Sequence, residues 1–203
     1  MTLTVIFWII LAFLLGSIPV GFIVGKLKGV DVREHGSGNI GATNVGRTLG
    51  KGAGIFTLIA DILKGVLAAW LGRFASPGED ALALGAILGF TAIAGHCFSP
   101  FLQFRGGKGV ATALGVFLAL APIATLFGLL GFVIVFKLTR IVSLSSITAV
   151  VIVPLCIGLG ADGEYHRLVL VLCIATSVLI TCRHHDNLKR LFAGTEQQLG
   201  KRA

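Results

Sequence analysis

Apolar residues in this chain fall into long uninterrupted windows, which differ from the alternating or one-sided patterns of a water-soluble domain. One window, Gly52 to Gly72, is interrupted only by Asp61 and Lys64. Five windows carry no formal charge: Met1 to Gly25, Ala81 to Phe104, Gly109 to Phe136, Ile141 to Ala161 and Leu168 to Cys182. Since about 20 apolar residues in a helix cross a bilayer core about 30 Å thick, the pattern predicts an all-α integral membrane protein.

The window from Gly109 to Phe136 decides the number of crossings. As one helix its 28 residues would rise about 42 Å, which is long for a single span, whereas two halves are short for two spans. Pro122 and the glycines around it favour a break in the helix. We therefore expect two short helices or a re-entrant hairpin, and both count as two passes.

Lysines and arginines are distributed very unevenly when that window counts as two passes. The inner groups are Lys26 to Lys51, Arg105 with Lys108, Lys137 with Arg140, and the tail from Arg183, which hold five, two, two and five of them. The outer loops, Arg73 to Asp80 and Asp162 to Arg167, hold one each. Because cytoplasmic loops are enriched in basic residues, the asymmetry predicts seven crossings with the N-terminus outside and the C-terminus in the cytoplasm.

The composition is that of a membrane protein, and it argues against some classes of partner. Of the 203 residues 55% are apolar and 13% are charged, about half the charged fraction of a typical soluble domain. The net charge of +8 could indicate nucleic acid, but few aromatics accompany the basic residues, so we expect no nucleic-acid partner. The four cysteines lack the spacing of a disulfide framework or a zinc site. We predict one polytopic membrane domain over residues 1–203, without a bound metal.

The first polar segment on the predicted inner side runs from His35 to Arg47 and reads HGSGNIGATNVGR. Its glycines let backbone N–H groups approach an anion, its small polar side chains add donors, and its arginine matches phosphate oxygens. The segment Gly36 to Gly41 also fits the dinucleotide fingerprint G-x-G-x-x-G, but that fingerprint requires a preceding strand, and a membrane helix precedes it here. The segment is therefore typical of a phosphate-binding loop.

A second inner segment ends in GGKGVAT, from Gly106 to Thr112. Lys108 lies among three glycines before the next predicted helix, where helix amides and a cation can bind an anion together. It is not a Walker A loop, because Leu102 and Gly109 occupy the positions that need Gly and Ser or Thr. The alternative is a flexible basic turn that only sets topology.

Three ionisable residues lie within apolar windows. Asp61 and Lys64 are three residues apart, and we expect them to form an ion pair facing the bundle interior rather than to act directly in chemistry. His96 follows an apolar run, and we expect a hydrogen-bonded structural histidine rather than a catalyst.

Two further polar pieces fall on the predicted inner side. Ser143, Ser145 and Ser146 follow Arg140 and could cap a helix or donate to a phosphate. In the tail, His184 and Asn187 are three residues apart and share a helix face, while His185 and Asp186 point elsewhere. The apolar residues Leu188, Leu191 and Phe192 suit the membrane interface. The alternative for the tail is a solvated basic segment on anionic lipid.

These segments together resemble the bacterial acyl-phosphate:glycerol-3-phosphate acyltransferase family, also called PlsY. SGNIGATNVGR (37–47), GGKGVAT (106–112) and the stretch from HHDN to GTE (184–196) match its three signature motifs in order. The resemblance implies seven membrane helices in the bacterial cytoplasmic membrane and an active site facing the cytoplasm. It implies transfer of an acyl group from acyl phosphate to the sn-1 hydroxyl of sn-glycerol 3-phosphate, giving lysophosphatidic acid and phosphate, without a cofactor.

The same resemblance implies the residues of the site. Four of them are expected to be catalytic: Arg47, Lys108, His184 and Asn187. The others are expected to bind substrate: Ser37, Gly38, Asn39, Gly41, Thr43, Asn44, Gly106, Gly107, Gly109 and Ser143. Glu196 resembles a structural tie for the tail.

No carboxylate in these segments is placed to act as a general base. We therefore expect the donor's phosphate to take the proton of the attacking hydroxyl, with His184 orienting that hydroxyl. The rival interpretation is a small transporter or channel for an organic phosphate anion, but the polar features crowd one predicted face, whereas a transporter needs them near the midplane. Nothing in the sequence requires a protein partner, so we expect a monomer.

Overall fold

A computed structural model describes residues 3–76, 81–163 and 167–200 of the chain. These residues form ten α-helices and two short 3-10 turns and contain no β-strand, which confirms the all-α prediction. The helices are α1 Leu3–Ser17, α2 Val20–Leu27, α3 Ala42–Leu49, α4 Lys51–Ala75, α5 Ala81–Cys97, α6 Val110–Leu120, α7 Pro122–Thr139, α8 Val142–Gly158, α9 Arg167–Arg183 and α10 His185–Phe192. The predicted outer loops extend into residues 77–80 and 164–166, which lie outside the described residues.

Several helices are long and apolar enough to cross a bilayer. Three meet that test singly: α4, α7, and α5 together with the turn that follows it to Leu102. The bent pairs α1 with α2 and α9 with α10 raise the number to five, while α6 and α8 are apolar but shorter. Large apolar side chains such as Phe7, Phe56 and Leu130 are more than half exposed, as lipid-facing residues are. The count of seven crossings stays a prediction.

The first apolar window is bent rather than continuous. α1 ends at Ser17, α2 begins at Val20, and the two axes differ by 41°. Pro19 lies in the break, where its ring and missing N–H prevent a continuous helix. The first apolar window, Met1 to Gly25, therefore forms two helices with a bend between them.

The predicted break near Pro122 is confirmed. α6 ends at Leu120 and α7 begins at Pro122, so proline occupies the first helical position, where its missing N–H costs nothing. The carboxylate of Asp162 caps α7, because Oδ1 accepts from the N–H of Ile123 at 2.8 Å and Oδ2 from that of Ala124 at 3.0 Å. The helices have 11 and 18 residues, so the window is not divided into equal halves.

The chain divides into two compact units, Met1–Leu120 and Ala121–Ala203. In the first unit α4 packs against α3, α5 and α6, and α1 packs against α5. Glycines allow the close approach of α4 and α6: a Cβ on Gly65 would lie 2.1 Å from the carbonyl oxygen of Thr112, and one on Gly115 would lie 2.0 Å from that of Ile62. This crossing therefore places the first turn of α6 directly against the middle of α4.

In the second unit α8 packs against both α7 and α9. Gly128 and Gly131 on α7 face α8, where an added Cβ would collide with the side chains of Val153 and Ile152. Ser177 of α9 donates a hydrogen bond to the carbonyl oxygen of Val150. The polar residues of this unit that belong to the predicted site lie at the start of α8, the end of α9 and in α10.

Candidate active site

The first predicted phosphate loop is held in shape by Asn44 of α3. The Asn44 side chain is buried, and its Oδ1 accepts from the backbone N–H of Ser37 at 2.7 Å. Its Nδ2 donates to the carbonyl oxygens of Val32 at 2.9 Å and His35 at 3.0 Å. Both of its amide protons are therefore committed to the loop backbone, which favours a positioning role for Asn44 over direct contact with substrate.

Two glycines of this loop adopt a backbone conformation that other residues rarely reach. Gly36 and Gly38 have φ values of 60° and 70°. A Cβ on Gly36 would also lie 2.3 Å from Oδ1 of Asn44. Farther along, Oδ1 of Asn39 accepts from the N–H of Gly41 at 2.8 Å, and α3 begins at the next residue. The predicted glycine and amide positions thus form one compact turn that leads into α3, with Thr43 half-buried in its first turn.

Arg47 extends from the exposed face of α3, while Val45 on the opposite face is fully buried. A concavity of about 400 Å³ lies beside it, lined by Val30, His35, Gly36, Arg47 and Thr48. A guanidinium at the wall of an open concavity is suited to binding a phosphate with two parallel hydrogen bonds. The structure therefore places Arg47 where an anion from solution can reach it.

Asp31, which precedes this segment, forms ion pairs with two other cations, Arg33 and Lys26. Its carboxylate accepts from Arg33 at 2.9 and 2.7 Å and forms an ion pair with Lys26 at 3.1 Å. The hydrogen bonds from Arg33 hold the pKa of Asp31 well below its usual value, against the opposing effect of partial burial. The carboxylate of Asp31 is thus already paired with these two cations.

Backbone hydrogen bonds hold the second predicted loop, Gly106–Gly109, against the end of α5. The N–H groups of Gly106 and Gly107 donate to the carbonyl oxygens of Cys97 and His96 at 3.2 and 3.0 Å. Lys108 is half-buried, Gly109 has a φ of 84°, and α6 begins at Val110. The prediction that a lysine lies among glycines at the start of a helix is confirmed, and an ammonium beside helix N–H groups favours an anion.

The two loops share an apolar core within the first unit. Leu102, from the turn that leads into the second loop, is 3% exposed. It packs with four buried residues from the first loop, α3 and α4: Val32, Ile40, Val45 and Ala53. Their common core fixes both loops to the same end of α4.

The predicted pair of Asp61 and Lys64 is confirmed, with Nζ 2.8 Å from Oδ1 and both side chains almost fully buried. The structure adds a third member, because Nδ1 of His96 lies 2.8 Å from the same Nζ. His96 is 32 residues from Lys64 in sequence, so helical spacing could not reveal this contact. The cluster is a buried polar site of which the sequence predicted two of the three members.

In the second unit Glu196 connects three residues. Its Oε1 accepts from Oγ of Ser143 at 2.7 Å and from Nδ2 of Asn187 at 2.6 Å, and its Oε2 accepts from Nε of Arg190 at 2.6 Å. Burial raises the pKa of Glu196, but these three hydrogen bonds outweigh it and leave the pKa below its usual value. The structure thus brings the predicted residues Ser143 and Asn187 together through a carboxylate.

Ser143 is distinguished from the two serines that follow it. The hydroxyls of Ser145 and Ser146 donate within α8 to the carbonyl oxygens of Ile141 and Val142, at 2.7 and 2.8 Å. Such bonds to the preceding turn keep a hydroxyl on its own helix. Of the three, Ser143 alone is directed to the tail, and the sequence offered no signal for that difference.

His184 is 2% exposed, and its Nδ1 lies 2.8 Å from the carbonyl oxygen of Ile180. A carbonyl can only accept, so Nδ1 carries the proton and Nε2 is the acceptor nitrogen of the neutral ring. Asn187 is buried on the same side, whereas His185 and Asp186 are exposed and lie 3.0 Å apart. The predicted division of these four residues between two faces is confirmed.

Comparison with known proteins gives consistent results along the whole chain. The profile of the family described as glycerol-3-phosphate acyltransferase matches residues 6–194. A protein of that name from Trichlorobacter lovleyi is 50% identical over 196 residues, covering 95% of this chain and 96% of its own. Another from Symbiobacterium thermophilum is 48% identical over 194 residues, covering 96% and 94%.

Two solved structures are also similar. Both are crystal structures of PlsY (YgiH), an integral membrane glycerol 3-phosphate acyltransferase, at 40% identity. The glycerol 3-phosphate form has a TM-score of 0.89 and the lysophosphatidic acid form one of 0.87. They cover 97% of this chain and 96% and 95% of their own chains, respectively.

Proposed function

Because this chain belongs to the glycerol-3-phosphate acyltransferase family, we propose that it transfers a fatty acyl group from acyl phosphate to the sn-1 hydroxyl of sn-glycerol 3-phosphate. The products are lysophosphatidic acid and inorganic phosphate, and the reaction is the first acylation of bacterial phospholipid synthesis. The glycerol 3-phosphate and lysophosphatidic acid forms of the similar PlsY structure support this pair of substrate and product.

One observation carries the proposal: Lys108 lies in a glycine loop between α5 and α6. Backbone hydrogen bonds hold this loop against the end of α5, and α6 begins directly after it. Two elements, the ammonium and the start of a helix, favour a phosphate there. Arg47 beside its concavity offers a second cation in the same unit. Both proposed substrates carry a phosphate, so two cationic sites suit this reaction.

In the proposed reaction the sn-1 oxygen attacks the acyl carbonyl carbon, and the bond from that carbon to the phosphate oxygen breaks. Phosphate is a good leaving group, so the protein's main tasks are to position two anions and to stabilise charge on the carbonyl oxygen. Before the attack the hydroxyl donates its one hydrogen bond to His184, and as the new C–O bond forms the proton passes to the departing phosphate. His184, with Nε2 as its acceptor nitrogen, orients the hydroxyl, and Asn187 assists from the same side of α10.

The tautomer of His184 supports an orienting role. In a serine-protease triad the base is assisted by a carboxylate on Nδ1, which stabilises the imidazolium. Here Nδ1 donates to the Ile180 carbonyl, which fixes the ring without supplying a full negative charge. A proton on His184 is therefore less stabilised than on a triad histidine.

We extend the proposal to location: a monomer in the bacterial cytoplasmic membrane that crosses it seven times, with the three motifs on the cytoplasmic side. The 14 basic residues of the predicted inner segments, against two in the outer loops, support this orientation. Glycerol 3-phosphate is a charged, water-soluble substrate, so a site open to the cytoplasm is required for its entry.

The test is an assay of the purified protein in detergent with palmitoyl phosphate and glycerol 3-phosphate. We expect lysophosphatidic acid and phosphate in equal amounts. Lys108→Met should lower kcat/KM by about 10- to 100-fold, because a hydrogen bond from a charged donor is lost. Lys28→Met, which removes an exposed lysine at the end of α2, is the matched control and should leave the rate unchanged.

Other outcomes of the assay would identify other functions. Phosphate release without the lipid product would make the protein a hydrolase of acyl phosphate. If neither product formed while the protein, reconstituted in vesicles, took up glycerol 3-phosphate, the transporter interpretation would replace the enzyme.

A further inference from the structure

A buried polar cluster lies beneath the Gly106–Gly109 loop, apart from the residues to which the proposed reaction assigns a role. Asp61, Lys64 and His96 are 2%, 4% and 5% exposed. Asp61 and Lys64 are one turn apart on α4, and His96 is the next-to-last residue of α5. Ionisable side chains are costly at such positions and are retained mainly where they serve a purpose.

The surroundings of Lys64 determine the state of the His96 ring. Its Nζ lies 2.8 Å from Oδ1 of Asp61, 2.8 Å from Nδ1 of His96 and 3.1 Å from the carbonyl oxygen of Ile18. An ammonium has three donors and no acceptor, so Nδ1 of His96 must accept and the ring proton is on Nε2. Asp61 does not compete for Nδ1, because its nearer oxygen is 3.6 Å away, beyond hydrogen-bond range.

The opposite edge of the same ring lies against the loop. A Cβ on Gly107 would come within 2.2 Å of Nε2 of His96, so the ring edge packs directly on the Gly107 backbone. The carbonyl oxygen of His96 also accepts from the N–H of Gly107 at 3.0 Å. His96 therefore contacts the residue before Lys108 with both its side chain and its backbone.

The same part of α4 contacts the far end of the loop. Gly65, next to Lys64, lies so close to α6 that its Cβ would be 2.1 Å from the carbonyl oxygen of Thr112. α4 thus contacts His96, ten residues before the loop, through Lys64, and Thr112, three residues after it, through Gly65.

We propose that Asp61, Lys64 and His96 are positioning residues for the Gly106–Gly109 loop. Asp61 keeps Lys64 charged, Lys64 holds the His96 ring in one tautomer and orientation, and the ring supports Gly107 so that Lys108 is fixed toward the substrate phosphate. The inference rests on the proposed function and adds to it three residues that do not touch substrate.

The decisive variant is His96→Asn. The asparagine Oδ1 can take the place of Nδ1 as an acceptor for Lys64, while the ring edge that supports Gly107 is lost. We expect the KM for at least one phosphate-bearing substrate to rise on the order of 10- to 100-fold, with kcat and the melting temperature changed far less. Thr57→Val removes another buried hydrogen bond from α4, from Oγ1 to the carbonyl oxygen of Ala53, and should leave both KM values unchanged.

A lower melting temperature with both KM values unchanged would overturn the proposal, because it would give His96 a structural role only.

Nitrogen NMR of histidine-labelled wild-type protein supplies a test that needs no variant. We expect His96 as a neutral ring protonated on Nε2, with a signal that shifts when inorganic phosphate is added. A His96 ring protonated on Nδ1 would contradict the proposal. If wild-type protein made no lysophosphatidic acid, the proposed acyltransferase function would be wrong. The NMR measurement needs no turnover and therefore tests the positioning role separately.

Discussion

At the scale of single residues, the direction of a hydrogen bond decides what a histidine can do. Lys64 donates to Nδ1 of His96, so the proton of that ring is on Nε2. The Ile180 carbonyl accepts from Nδ1 of His184, so the proton of that ring is on Nδ1. Two buried histidines of one chain therefore hold opposite tautomers, and we assign them different tasks.

The orienting role of His184 predicts a moderate effect of His184→Gln. We expect kcat to fall by less than about 100-fold, because a general base contributes roughly 10²- to 10⁴-fold and an orienting residue less. The measurement is steady-state kinetics with palmitoyl phosphate and glycerol 3-phosphate. His185→Gln is the matched control, because His185 is exposed next to His184 and should be replaceable without loss.

A loss of turnover in His184→Gln beyond about 10⁴-fold, with binding of glycerol 3-phosphate intact, would make His184 an essential base. The departing phosphate would then no longer be the proton acceptor in the reaction.

The residue types in the sequence predicted most residues of the candidate site, but they did not predict which groups those side chains contact. Glycine and lysine in GGKG predicted a loop before a helix, and that loop is present. The contacts of Asn44 and Glu196 depend on which backbone or side chain folds next to them. Asn44 reaches Val32, 12 residues away, and Glu196 reaches Ser143, 53 residues away. No local spacing encodes contacts at such separations.

At the scale of helices, glycines set how closely two axes approach. Gly65→Ala should destabilise the protein by about 1–3 kcal/mol, because its Cβ would meet backbone of α6 that cannot rotate away. Gly52→Ala, in the same helix, meets nothing within 4 Å and should stabilise it by up to about 1 kcal/mol through helix propensity. Thermal unfolding in detergent compares the two. Equal melting temperatures would contradict the close crossing.

Helix positions were largely predictable, whereas helix interruptions were only partly so. The apolar windows located the helices because a backbone in lipid must satisfy its own hydrogen bonds, as an α-helix does. Pro122 was recognised as a break, but Pro19 was not, although it bends α1 and α2 by 41°. α3 lies within a stretch predicted only as a polar loop, since its eight residues include Gly46 and two threonines, which are poor helix formers.

At the scale of the whole molecule, the distribution of lysine and arginine predicts the orientation of the chain. A fluorescent protein fused after Ala203 should be bright, because it folds in the cytoplasm, whereas alkaline phosphatase fused there should be inactive. The matched control is a phosphatase fusion after Ala161, on the predicted outer side, which should be active. An active phosphatase after Ala203 would contradict seven crossings with the C-terminus inside.

The position of Asp61 and Lys64 on a single helix has a consequence for how the protein enters the membrane. A lone Asp or Lys at the centre of an inserting helix costs about 2.5–3.5 kcal/mol. Here the two lie one turn apart and 2.8 Å from each other, so α4 can form its ion pair as soon as it coils. The segment can then enter the bilayer with no net charge in its interior, without waiting for α5 to bring His96 against it.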